Sequence, residues 1–474
     1  MRKTFYTLEK SQLAGLVETL NKKEIRDLRK WLRSPSHNQQ DPVIALFEYL
    51  TTDPKPSWEK EAAFECAFPG QVFDDARLRQ AMHFLLRAVE DYLAWQEWSS
   101  ESINRQIVLA GIYRKRKLSS SFQKVTSDAR KTLDQQPYRN EWFYRQEYLL
   151  QSEQYKFLEG KKQLVPMNLQ EISDALDYSF ITDKLRQACL MLAHQTVYKA
   201  EYSQGLLENI LNYVRERELY RTPAIGIYYY VYYSLIDKTN ESHFESLKSL
   251  LSEHGALFPK EELWDIYVMA INYGVGRLNA GVTRFYRETF ELYREGLANG
   301  ALLKEGQLSR WTYLNIVAIG VVLKEFEWVE SFIADFQDYI DAEDRRSFVD
   351  YCLARLYYEQ GHYERAMDHL IHVEYEGFLM TLNARIILAK IYYVREEEEP
   401  LMSLLESTRA YMQRKKVLGY HKSNYTNVLR SFKKLVRVNP YSKTQIEKLR
   451  KEVESTNPLT ERPWLLEQLG KLSG

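Results

Sequence analysis

Few residues in this chain stand at spacings that could do chemistry. His369 and His372 are three apart, with Asp368 and Glu374 nearby. Two imidazoles at that spacing on one helix face can share a metal ion, but no third ligand is evident, so no metal is expected. Glu396-Glu-Glu-Glu399 precedes Pro400 and could gather a cation. Acids at a helix start, with Pro400 in the first turn, account for the same residues through the helix dipole. Arg26, Arg29, Lys30 and Arg33 recur at i, i+3, i+4 and i+7, opposite Ile25, Leu28 and Leu32, and Arg430, Lys433, Lys434 and Arg437 repeat that spacing. Both are basic helix faces. They raise nucleic-acid or ribosome contact as an alternative function, although no aromatic residues are interleaved to stack bases. Arg114-Lys-Arg-Lys117 ends an apolar-periodic helix, where cations complement the dipole or would hold a phosphate. The Walker, dinucleotide, zinc-protease and serine-hydrolase signatures are missing, as is any Cys-x-x-Cys pair. No catalytic residue, cofactor or metal is therefore expected, and the chain reads as a non-enzyme.

The elements that carry these residues are helical. The chain has only 13 Pro and 19 Gly in 474 residues, below the average usage of about 5% and 7%. Apolar residues make up 45% of it, enough for a continuous core. Its 35 Tyr suit a thin helical layer in which rings pack while hydroxyls reach water. Lys plus Arg and Asp plus Glu balance at 65 each, leaving no global field for nucleic acid or anionic lipid. Cys66, Cys189 and Cys352 are far apart, as in a reducing compartment. The first ten residues lack a signal-peptide core, and the longest apolar run, 316–323, is too short to span a bilayer. The expectation is a cytoplasmic protein without a membrane partner.

Periodicity divides the chain into an N-terminal helical cap (1–95), a helical connecting region (96–175), consecutive helical hairpins (176–437) and C-terminal capping helices (438–474). Asp74 is an expected N-cap, with Phe73 and Leu78 placed for a hydrophobic staple, and Ser442-Lys-Thr-Gln445 has the capping-box pattern. Hairpins are expected to pair 225–236 with 244–251, a helix starting near Leu263 with 285–297, and 311–323 with 328–339. Val329, Ala366 and Leu401 then fall at equivalent second-helix positions, 37 and 35 residues apart.

Leu353, Ala354, Tyr357, Gly361, Tyr363, Ala366 and Leu370 match the packing positions of a tetratricopeptide repeat, and the next unit keeps Leu388, Ala389 and Tyr392. The resemblance is strict over one unit and partial over two. Lys22–Pro35, Phe73–Leu78, Leu176–Leu185 and Arg462–Leu466 also resemble a family of uncharacterised bacterial helical-repeat proteins, to which no activity attaches. What the resemblance implies is an all-α fold: a right-handed α-solenoid of stacked antiparallel hairpins with an N-terminal helical cap.

In such repeats set positions of the first helix line the concave groove. Carried onto this chain they are Phe348, Tyr351, Arg355, Tyr358 and Glu359, then Asn383, Ile386, Lys390, Tyr393 and Val394. The partner-binding set expected from them is Tyr351, Arg355, Tyr358, Asn383, Ile386, Lys390 and Tyr393. Arg355 and Lys390, each with a Tyr one turn on, would form a short ladder of cations and rings. That ladder suits an extended peptide carrying a carboxylate. The competing expectations are that these residues solvate the groove, or that they hold a helix of the same chain. The function expected is a scaffold or adaptor that binds a protein or peptide partner.

Overall fold

The computed structural model describes residues 8–52, 58–160, 167–198, 200–342, 345–371, 378–415 and 419–473. It is all-α: helix accounts for 78% and strand for 1%. The chain separates into two compact units, residues 1–136 with 141–180, and residues 137–140 with 181–474.

The first unit runs α1 (Gln12–Glu18), α2 (Lys22–Leu32), α3 (Asp41–Leu50), α4 (Lys60–Ala67), α5 (Asp75–Ser100), α6 (Ser102–Lys115), α7 (Ser119–Asp134), α8 (Glu141–Glu159) and the start of α9 (Leu169–Tyr198). Asn21 caps α2 by accepting from the N–H groups of Lys23 and Glu24, and Glu24 reaches back to the Asn21 N–H. Asp74 caps α5 through Ala76 and Arg77. The 26-residue α5 supports the unit: Leu78, Leu85 and Val89 are fully buried and share one core with Leu28, Leu32, Leu46, Phe47 and Phe64. The Phe73 ring lies edge-on to Phe64, 5.4 Å between centroids.

The second unit continues with α10 (Leu207–Glu216), α11 (Pro223–Ile236), α12 (Ser242–His254), α13 (Lys260–Asn279), α14 (Phe285–Ala298), α15 (Arg310–Val322), α16 (Phe326–Phe336), α17 (Arg345–Glu359), α18 (Tyr363–Ile371), α19 (Phe378–Val394), α20 (Glu398–Arg414), α21 (Gly419–Arg437), α22 (Lys443–Ser455) and α23 (Arg462–Ser473). A two-stranded hairpin, Leu303–Lys304 against Gln307–Leu308, joins α14 to α15. Sequence periodicity does not show it, because two residues per strand carry no pattern. Helices pack in consecutive pairs, and α11 also meets α13, α15 meets α17, and α17 meets α19. Val329, Ala366 and Leu401 are all buried at their second-helix positions.

One stop signal ends α15, α17 and α19. The residue in the left-handed region is Lys324 (φ 60°), Gly361 (φ 80°) and Glu396 (φ 60°) respectively. Each donates to the carbonyl three residues back, while the next residue donates five back: Glu325 to Gly320, His362 to Tyr357, Glu397 to Tyr392. This doubly bonded C-terminus satisfies carbonyls the helix leaves open and turns the chain toward its partner helix. Ser442 begins α22 with half of the expected capping box. It accepts from the Gln445 N–H, but the Gln445 side chain bonds the Asn439 N–H instead of reaching back to Ser442.

Candidate functional site

The first helices of three successive hairpins, α15, α17 and α19, enclose a cavity of about 440 Å³. Its lining is spaced alike on α15 and α17: Trp311 and Phe348 one turn before Leu314 and Tyr351, then Ala318 and Arg355. The small Ala318 side chain of α15 and Arg355 of α17 both face this space. Arg355 is half-buried there beside the Tyr351 hydroxyl, whose pKa burial raises despite the nearby guanidinium. Among the described residues no carboxylate pairs with Arg355. The Arg310 guanidinium lies 5.5 Å from the Trp311 ring centroid and 5.8 Å from that of Phe348. Asn383 closes the far side, its Oδ1 accepting from the Tyr425 hydroxyl at 2.5 Å. The Arg355 guanidinium, bracketed by exposed Trp311 and the Phe348 and Tyr351 rings, can hold a carboxylate whose neighbours are apolar.

The other half of the expected ladder is occupied by the chain's own C-terminal helix. Lys390 Nζ is 2.5 Å from Glu461 Oε2, with only 13% and 23% of the two side chains exposed. The same ammonium sits 5.7 Å from the Tyr358 ring and 5.6 Å from the Trp464 ring. Trp464 meets Tyr393 edge-on at 5.5 Å and stacks on Phe432 at 5.0 Å. Burial raises the pKa of both Tyr358 and Tyr393, so they stay neutral in ordinary solution. Ile386 is 4% exposed within the core that α21 and α23 complete. The structure thus keeps Tyr351, Arg355 and Asn383 around one cavity, and places Tyr358, Lys390 and Tyr393 beneath α23.

Arg310, Trp311 and Asn315 were missed by sequence reasoning. The available signal was the 37-residue step back from Phe348 to Trp311, in a unit that retains little of the repeat motif.

The remaining clusters resolve as follows. His369 Nδ1 is 2.8 Å from Asp350 Oδ1 and its ring stacks on Tyr357; His372 and Glu374 lie outside the described residues. Among the described residues no group of three or more His, Cys, Asp or Glu is placed to hold a metal. Glu398 and Glu399 occupy the first turn of α20, ahead of Pro400. On α2, Arg29 and Arg33 pair with Glu48, and Arg26 and Lys30 with Asp27. Arg114 pairs with Glu153 at 2.9 Å. Burial pushes the Cys189 and Cys352 thiols up, away from nucleophilic use. Glu262, 5% exposed, accepts 2.7 Å bonds from Tyr228 Oη and Asn140 Nδ2, a sealed network that joins helices.

No protein-family model, curated protein or solved structure matches the chain. Among the described residues no helix is long and apolar enough to cross a membrane.

Proposed function

We propose that this protein is a non-enzymatic scaffold that binds an extended peptide segment of a partner along the first helices of its hairpins. In this reading α11 to α21 form a right-handed, tetratricopeptide-like solenoid, and α15, α17 and α19 line its inner face. The 37- and 35-residue steps between buried Val329, Ala366 and Leu401 support the repeat register. Three free thiols are in keeping with a cytoplasmic location. One observation carries the binding assignment: Arg355, with no carboxylate partner among the described residues, faces a 440 Å³ cavity beside Arg310 and the Trp311 and Phe348 rings. The ligand it fits is a peptide acid, side chain or C-terminal carboxylate, next to an apolar residue.

Selection from a phage-displayed library of random peptides tests this. Wild-type protein should enrich sequences with Asp, Glu or a terminal carboxylate beside an apolar residue. Arg355→Glu should lose that enrichment while its far-UV circular dichroism stays unchanged. If enrichment is equal for wild type and variant, the cavity is not the binding site.

A further inference from the structure

A second groove lies between α20 and α21, with a volume of about 890 Å³ and a lining unlike that of the first. Its floor is aliphatic, built from Leu405 and Met412 of α20 and Leu429 of α21. Its rim is cationic, with exposed Arg409 on one helix and exposed Lys422, Arg430 and Arg437 on the other. Among the described lining residues there is no carboxylate and no aromatic ring. Lys433 and Lys434 also line it and are held outward by Glu406 at 3.6 Å and Glu452 at 2.5 Å. Arg430 has the neutral Asn427 amide oxygen as its partner at 2.8 Å. From Lys422 to Arg437 the lining runs along one face of α21 for 15 residues. At 1.5 Å per residue that is about 22 Å, the length of four helical turns.

We infer that this groove docks an amphipathic helix of a partner protein, its apolar stripe on Leu405, Met412 and Leu429 and its flanks carrying Glu and Asp. Charge complementarity sets the sign of the partner, since the rim supplies cations and the lining offers no acid to compete. An aliphatic floor between two helices takes the ridge of a third, as in helix-in-groove recognition. Nucleic acid fits less well. Phosphates would gain from the rim, but bases would find no ring to stack on and an aliphatic floor to desolvate. A flat anionic bilayer would meet the rim without filling the groove. This surface is separate from the Arg355 cavity, so either assignment stands or falls alone.

Fluorescence anisotropy on the full chain tests the inference with a designed peptide of about 18 residues. The peptide has Leu at i, i+3, i+4 and i+7 and Glu on the flanking positions. It should bind in low salt, more tightly than a scrambled peptide of the same composition and more tightly than its Glu-to-Lys counterpart. Arg430→Glu with Arg437→Glu should weaken binding by about tenfold or more, and Arg430→Lys with Arg437→Lys should keep most of it. Thr426→Glu, at the exposed edge of the floor, gives a second variant that alters the groove without touching the core. The inference is overturned if scrambled and patterned peptides bind alike, or if the glutamate variants bind as wild type does. It is equally overturned if a single-stranded RNA oligomer or phosphatidylserine vesicles bind more tightly than the peptide and depend on the same arginines.

Discussion

Arg355 and Lys390, 35 residues apart, have opposite fates. Lys390 is neutralised within the fold by Glu461 and covered by Trp464, whereas Arg355 faces a cavity that Ala318 also lines. The Lys390–Glu461 pair is mostly buried, so its Coulomb attraction is less screened than that of a surface pair. A double-mutant cycle with Lys390→Met and Glu461→Gln should therefore show a coupling of about 1–2 kcal/mol in urea unfolding. A coupling near zero would mean that the apolar packing of Trp464, and not the ion pair, holds α23 in place.

At the scale of elements, the helix-ending motif at Lys324, Gly361 and Glu396 repeats more faithfully than the residues that form it. A left-handed conformation costs a residue with a side chain about 1–2 kcal/mol relative to glycine, offset in part by the greater entropy glycine loses on folding. Replacing Gly361 by Ala should thus destabilise the protein by about 1 kcal/mol, and Glu396→Gly should stabilise it by up to about the same amount. Midpoints of chemical denaturation measure both, and equal midpoints for wild type and Glu396→Gly would show that strain is absent there. Only Gly361 advertises this turn in the sequence. Lys324 and Glu396 adopt it without glycine, held by the same pair of backbone hydrogen bonds. Close approach is also specific to place. A Cβ on Gly320 would come 2.5 Å from Val329 Cγ2, which explains why this small residue sits where α15 meets α16.

At the scale of the whole molecule, the two units carry buried acids of opposite tendency. In the first, burial would raise Glu147 and Glu153. Arg130 with Gln151, and Arg114 with Lys156, outweigh that and hold both carboxyls below the ordinary range. A depressed folded pKa contributes stability above the unfolded pKa and loses it as pH falls through the folded value. In the second unit burial raises Asp265 and Glu295 above the ordinary range, with Arg186 and Lys248 compensating only in part. Their ionisation opposes folding near neutrality, and protonation relieves it. Acidification from about pH 7 toward pH 3, below the ordinary carboxylate range, should therefore destabilise the first unit through Glu147 and Glu153 while Asp265 and Glu295 act in the opposite sense. Urea unfolding at both pH values checks the signs: Glu147→Gln with Glu153→Gln should flatten the acid loss, and Asp265→Asn with Glu295→Gln should stabilise the protein at neutrality. The reverse order would show that other groups dominate the pH dependence.

By itself the sequence determined the all-helical class, the Asp74 cap and the approximate limits of helices α11 to α16. These follow from local periodicity and turn chemistry, which act over a few residues and are written contiguously in the chain. Tyr351, Arg355 and Asn383, singled out from the sequence, line one cavity in the structure. Only the tertiary structure decided which of those positions stay open. Glu461 and Trp464 lie more than 70 residues beyond Lys390 and Tyr393, and no periodicity links them. That α23 covers one half of the ladder depends on how an apolar helix finds the last unburied surface, a property of the assembled core and not of any segment in it.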